Sequence, residues 1–281
     1  MQSLLNMRFY ESDAGFLVED VQIVFPPSGR QQGELVISKA SGEEVASLPL
    51  RMEPLGNFPA FANLKPDGRP GNIRVSQPGD FVMTVKLGGE VITRMPFSLK
   101  EEKGNDPFNP QRRFIREGAW RDHAFISAPV ENSNGNIFFH FWMSLREFPQ
   151  VGTGRQLASL HLLHGTQEIG TTRSNIVPSY MDWQFFSQEL VTAVKVPNPH
   201  YLTMADLKKD GDYTMVLKVN GQPVKSYKFQ VKGGVLQRPD QSRIDYEPHV
   251  NFISPRYIDT TSGTGSRYAM HDMFWMKKSG R

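Results

Sequence analysis

Residues 79–100, GDFVMTVKLGGEVITRMPFSLK, recur as residues 211–232, GDYTMVLKVNGQPVKSYKFQVK, at a constant offset of 132 and without a gap. Such a repeat is a strong constraint on the fold, because one supersecondary unit must suit both copies. Seven of the 22 positions are identical, among them Gly79/Gly211, Met83/Met215, Gly89/Gly221 and Phe97/Phe229. Each copy reads as a hairpin. Phe81, Met83 and Val85 recur with period two, the mark of a half-buried strand. Gly88-Gly89 and Asn220-Gly221 supply the two positions of positive φ that a tight hairpin turn demands.

The correspondence extends backward through gaps. Residues 21–25 share the pattern of residues 137–141, and Leu35-Val36-Ile37 aligns with Ala158-Ser159-Leu160, the strands ending at Gly42 and Gly165. Short strands punctuated by turns at this spacing predict an all-β chain of sandwich type. In the second copy Thr203-x-x-Asp206 makes a capping-box-like start and leads to Asp210-Gly211-Asp212-Tyr213. This stretch resembles the corner loop of immunoglobulin-like sandwiches, where a Tyr after Asp-x-Gly hydrogen-bonds backward across the corner. One residue of that spacing is missing here, and the first copy has Phe81, without a hydroxyl. The resemblance implies two tandem immunoglobulin-like β-sandwich domains from an internal duplication, at residues 1–100 and 119–233. A linker at 101–118 and a C-terminal extension at 234–281 complete the expected plan. The resemblance implies no activity.

The segment 101–118 carries four acids, four bases and two prolines, which predicts a solvated, semi-stiff linker. The extension holds six aromatics, Tyr246, Phe252, Tyr257, Tyr268, Phe274 and Trp275. Disordered tails are aromatic-poor, so part of this one is expected to dock, with Phe252 or Trp275 buried.

Composition narrows the chemistry. The chain has no cysteine, which excludes disulfides, thiolate nucleophiles and Cys-ligated zinc. A net charge of +3, from 32 basic and 29 acidic residues, gives no field of the kind nucleic acid requires. No apolar run approaches the roughly 20 residues of a transmembrane segment. The opening MQSLLN has neither the basic nor the apolar region of a secretory signal. A Cys-free tandem sandwich suits an exported bacterial protein, periplasmic or extracellular, with the signal absent from this sequence; a cytoplasmic protein is the alternative.

Seven histidines include no His-x-His and no His-Glu-x-x-His. His161 and His164 stand three apart in an expected strand and so point to opposite faces. No metal, cofactor or catalytic residue is assigned, and no Gly-x-Ser-x-Gly, Walker loop or dinucleotide fingerprint occurs. The second copy has fifteen aromatics in residues 119–233 against eight in residues 1–100. Ile137, Phe139, Phe141 and Met143 should face the core, and Phe138, His140 and Trp142 the other way. On the next strand His161, matched by eye to Ser38, also points outward. Phe138, His140, Trp142 and His161 are therefore the candidate ligand-binding residues. The leading expectation is a non-catalytic binding or assembly module for a protein partner. A glycan-binding accessory protein and a hydrolase with an interdomain site are the alternatives. An own-chain cover over the aromatic face competes with both kinds of ligand.

Overall fold

The computed structural model describes residues 3–12, 15–25, 32–55, 58–66, 74–103, 112–122, 124–129, 135–152, 155–178, 183–193, 199–237, 256–259 and 269–278. These form an all-β chain in two units, with 3₁₀ turns as the helical elements among the described residues. One unit is Met1–Trp120 with Asp245–Tyr268; the other is Arg121–Ile244 with Ala269–Arg281.

The first unit holds β1 (Ser3–Ser12), β2 (Gly15–Phe25), β3 (Gly33–Lys39), β4 (Glu44–Leu55), β5 (Phe58–Pro66), β6 (Arg74–Val75), β7 (Gly79–Leu87), β8 (Glu90–Lys103) and β9 (Arg112–Glu117). Its hydrogen-bonded order is β1-β2-β5-β4-β3-β7-β8-β9, with β6 paired to β2. Burial alternates along β7 as the repeat demands: Phe81, Met83 and Val85 are buried while Val82 and Thr84 are half-buried.

The second unit holds β10 (Ala124–Pro129), β11 (Phe138–Met143), β12 (Ala158–His164), β13 (Gln167–Thr172), β14 (Gln184–Thr192), β15 (Gly211–Val219), β16 (Gln222–Lys232), β17 (Val235–Leu236) and β19 (Ala269–Lys278). Between the last two in sequence, β18 (Arg256–Asp259) falls within the first unit. The ladder runs β16-β15-β12-β13-β14-β11-β10-β19, and β19 pairs back onto β16. The ring is thus closed, which removes exposed strand edges from it. Two strands turn its corners. Gln184–Glu189 of β14 pair with β11 and its last residues with β13. Likewise His271–Met276 of β19 pair with β10, and Lys277 and Lys278 with β16.

The two hairpins correspond in detail. Gly79 lies opposite Leu99 and Gly211 opposite Val231. The ladder shifts between Val85 and Lys86 in one and between Leu217 and Lys218 in the other, the same place at the 132 offset. Gly88 and Gly89 have φ of 57° and 86°, Asn220 and Gly221 of 48° and 79°. Phe81 stacks on Phe97 at 5.6 Å and Tyr213 on Phe229 at 5.2 Å. Across the strands Ser98 donates to Asp80, and Gln230 to Asp212. The Tyr213 hydroxyl donates backward to the Lys209 carbonyl at 2.8 Å, and the Thr203 N–H and hydroxyl both donate to Asp206 Oδ2 at 2.9 Å.

Two expectations change. Leu35 faces Val85 and Leu160 faces Leu217, so their register makes Leu35 the counterpart of Leu160, not of Ala158. The same registers pair His161 with Val36 rather than Ser38. A two-residue slip preserves the inward/outward alternation, so the pattern alone could not detect it. The expected linker 101–118 contains the end of β8 and all of β9, paired to each other, with Phe114 and Ile115 buried. Its charges are cross-strand partners: Glu102 lies opposite Arg113, and Lys100 pairs with Glu117 at 2.5 Å. Part of the C-terminal extension does dock: it supplies β19 to the second unit, with Met276 buried in its core. Phe252 and the Trp275 side chain lie outside the described residues.

Candidate functional site

Strand β11 alternates as its sequence requires. Ile137, Phe139, Phe141 and Met143 belong to the core cluster. Phe138, His140 and Trp142 occupy the opposite face, but that face is not an open platform: His140 is fully buried, Trp142 is 3% exposed and Phe138 is half-buried. The correction has a physical reason. Strand β10, which continues this face, brings Phe125 flat against His140 at 4.6 Å and the Ser127 hydroxyl within 2.7 Å of His140 Nε2. Phe125, Ser127, His140 and Trp142 therefore form a second buried layer, with His140 Nε2 hydrogen-bonded to Ser127 within it. Replacing Trp142 with Ala is expected to cost about 3 kcal/mol by urea unfolding, the scale of core truncation. A loss below about 0.5 kcal/mol would mean that the ring contributes nothing to packing.

His161 lies apart from that layer, on the outer face of β12. Its Nε2 stands 3.0 Å from Ser159 Oγ and its Nδ1 2.9 Å from Glu168 Oε2. Ser159 and His161 share a face as i and i+2, and β13 brings the carboxylate alongside. The connectivity, hydroxyl to imidazole to carboxylate, is that of a nucleophile relay. His164 makes different contacts, with the Asp210 carbonyl at 3.3 Å and the Tyr213 ring at 4.7 Å.

The sequence survey missed a buried ionic cluster. Lys225, Tyr227, Phe229 and Val231 take the inward positions of β16, and the Lys225 side chain is 3% exposed. Its ammonium pairs with Glu147 at 2.5 Å and donates to the Arg121 carbonyl at 3.3 Å. It also lies over the rings of Trp183 at 5.4 Å and Phe148 at 5.7 Å. Burial pushes Lys225 down and Glu147 up, and their mutual attraction offsets this only in part. The Tyr227 hydroxyl is buried beside this pair and has no hydrogen-bond partner among the described residues. Burial, with Glu147 and Asp122 nearby, pushes its pKa up. A signal was available in the sequence. In the first hairpin Met95, Phe97 and Leu99 are buried, and at the 132 offset Lys225 stands where the first copy has Thr93.

A smaller polar knot fixes the loop before β15. Asp206 accepts from Thr203 and stands 3.0 Å from His200 Nε2. Burial alone would raise its carboxyl, but the two Thr203 hydrogen bonds and the His200 contact outweigh it and hold the pKa below the ordinary value. A depressed folded-state pKa contributes stability above the unfolded value and loses it as the pH falls through the folded one. Asp206→Asn should cost about 1 kcal/mol at pH 7. The gap from the parent should narrow below about pH 4, the ordinary aspartate range. A gap independent of pH, followed by thermal melting, would assign the effect to shape rather than charge.

Among the described residues no group of three or more His, Asp or Glu side chains is placed to hold a metal ion, and no helix is long and apolar enough to cross a membrane. Compared with known proteins, the chain matches no family model, no curated protein and no solved structure.

Proposed function

We propose that this protein is a binding or assembly module, built by internal duplication of an immunoglobulin-like sandwich and working through added strands. Supporting the duplication are the shared register, ladder shift, turn and cross-strand bonds of the two hairpins. Supporting the immunoglobulin-like plan are the groupings β10-β11-β14 and β13-β12-β15-β16, together with the Tyr213 corner bond.

One observation carries the functional reading. The second sandwich is completed by β19, a strand remote in sequence that fills the slot between β10 and β16 by main-chain pairing. Main-chain pairing of this kind is how sheet proteins take up extended segments of partners. A chain ending at residue 268, refolded with an excess of a synthetic peptide covering residues 269–278, should recover the parent melting temperature. A peptide with the same residues scrambled should not restore it. Equal recovery with both, or none with either, overturns the reading.

The Ser159–His161–Glu168 relay favours a second reading, hydrolysis at the outer face of β12. A fluorophosphonate probe should then label Ser159, and His161→Gln should abolish the label. Absence of an adduct by mass spectrometry removes this reading.

A further inference from the structure

We propose that Lys225 and Glu147 condense within the folded chain, joining β16 to the 3₁₀ turn Leu145–Glu147 through an amide bond. The ion pair is the state of the newly folded chain, and the amide accumulates from it. This bond is independent of any binding partner. With no cysteine in the sequence, it is a covalent staple of a kind that disulfides cannot supply here.

Three features prepare the two groups to react. The first is contact. Lys225 Nζ stands 2.5 Å from Glu147 Oε2, and each group is carried on an element that fixes it. Lys225 lies opposite Leu217 in the β15/β16 ladder. Glu147 ends a turn whose Leu145 is buried and whose Arg146 N–H donates to the Ser144 hydroxyl. Groups held in this way react as a unimolecular pair, with an effective concentration of about 10⁵ M or more. The second feature is protonation. An ammonium is no nucleophile and a carboxylate is a poor electrophile, but burial drives Lys225 toward the free amine and Glu147 toward the free acid. The third is dryness. The two side chains are 3% and 16% exposed, and the rings of Trp183 and Phe148 flank the ammonium. Little water is present to reverse the reaction, and the neutral product removes both buried charges together.

The step balances. Glu147 takes a proton from the Lys225 ammonium along the hydrogen bond between them. The Nζ lone pair then attacks Glu147 Cδ and forms the C–N bond. The Tyr227 hydroxyl, buried beside the pair with no hydrogen-bond partner among the described residues, is a donor for the oxyanion that develops on the carboxyl group. A second Nζ proton passes to the departing hydroxyl, the C–O bond breaks and one water leaves. Nothing is oxidised or reduced, and no co-reactant is needed.

The mass of the full chain tests this directly. After refolding and prolonged incubation, denaturing mass spectrometry should find a growing fraction of chains lighter by one water. Trypsin should then release residues 147–155 joined to residues 219–228, because an acylated Lys225 is not a cleavage site. Chain recovered and held in urea should keep the full mass, as should refolded Lys225→Met/Glu147→Leu. The full mass in the refolded parent, with both peptides unjoined, overturns the proposal. Water loss of the same extent in urea or in the double variant places the dehydration elsewhere and overturns it equally. The joined peptide is sought in the parent itself, so the test stands whether or not the double variant folds.

Discussion

Ending the chain at residue 268 should destabilise the second unit by about 5 kcal/mol or more, enough to unfold a domain of ordinary stability. Two losses add. Met276 leaves the core, and truncating a buried methionine alone costs about 2–5 kcal/mol. The ladders of β10 and β16 then open, leaving two unpaired edges in what was a closed ring. Circular dichroism melting should show a transition lowered by more than 15 °C or absent. The opened edges should also make the truncated chain aggregate. A melting curve within 2 °C of the parent would show that β19 is not part of the folded core.

Glu147→Gln should cost about 4 kcal/mol, because it leaves the Lys225 ammonium uncompensated in a nearly dry site. The double change Lys225→Met with Glu147→Leu should be neutral or stabilising by about 1–4 kcal/mol, since apolar residues of similar volume remove two desolvation penalties together. The directions of the two pKa shifts agree: each group is driven toward its neutral form, so attraction does not fully repay burial. Tyr227→Phe provides a control. It removes a buried hydroxyl with no hydrogen bond among the described residues and should leave stability unchanged or raised. Urea unfolding of the three variants tests the set. A double variant as unstable as Glu147→Gln alone would mean that the pair supports packing beyond its charge.

Strand identity, hairpin register and turn conformation were legible in the sequence because they are local. Gly88-Gly89 and Asn220-Gly221 dictate the turn, and side-chain alternation dictates the inward face of β7, β11 and β15. Even the outward assignment of His140 and Trp142 follows from alternation alone. Whether an outward face meets water does not follow, because alternation says nothing of what packs beside or over it. Phe125 on β10 reaches His140 from 15 positions away. The charged segment 101–118 read as a linker because composition cannot tell solvated charges from cross-strand pairs such as Lys100 and Glu117. Lys225 was visible as a lysine in an inward position, but its partner Glu147 stands 78 residues earlier in a 3₁₀ turn, and no periodicity links them. Closure of the second unit is likewise a tertiary decision. The sequence of β19 specifies a strand, and only the unpaired edges of β10 and β16 determine where that strand is stable.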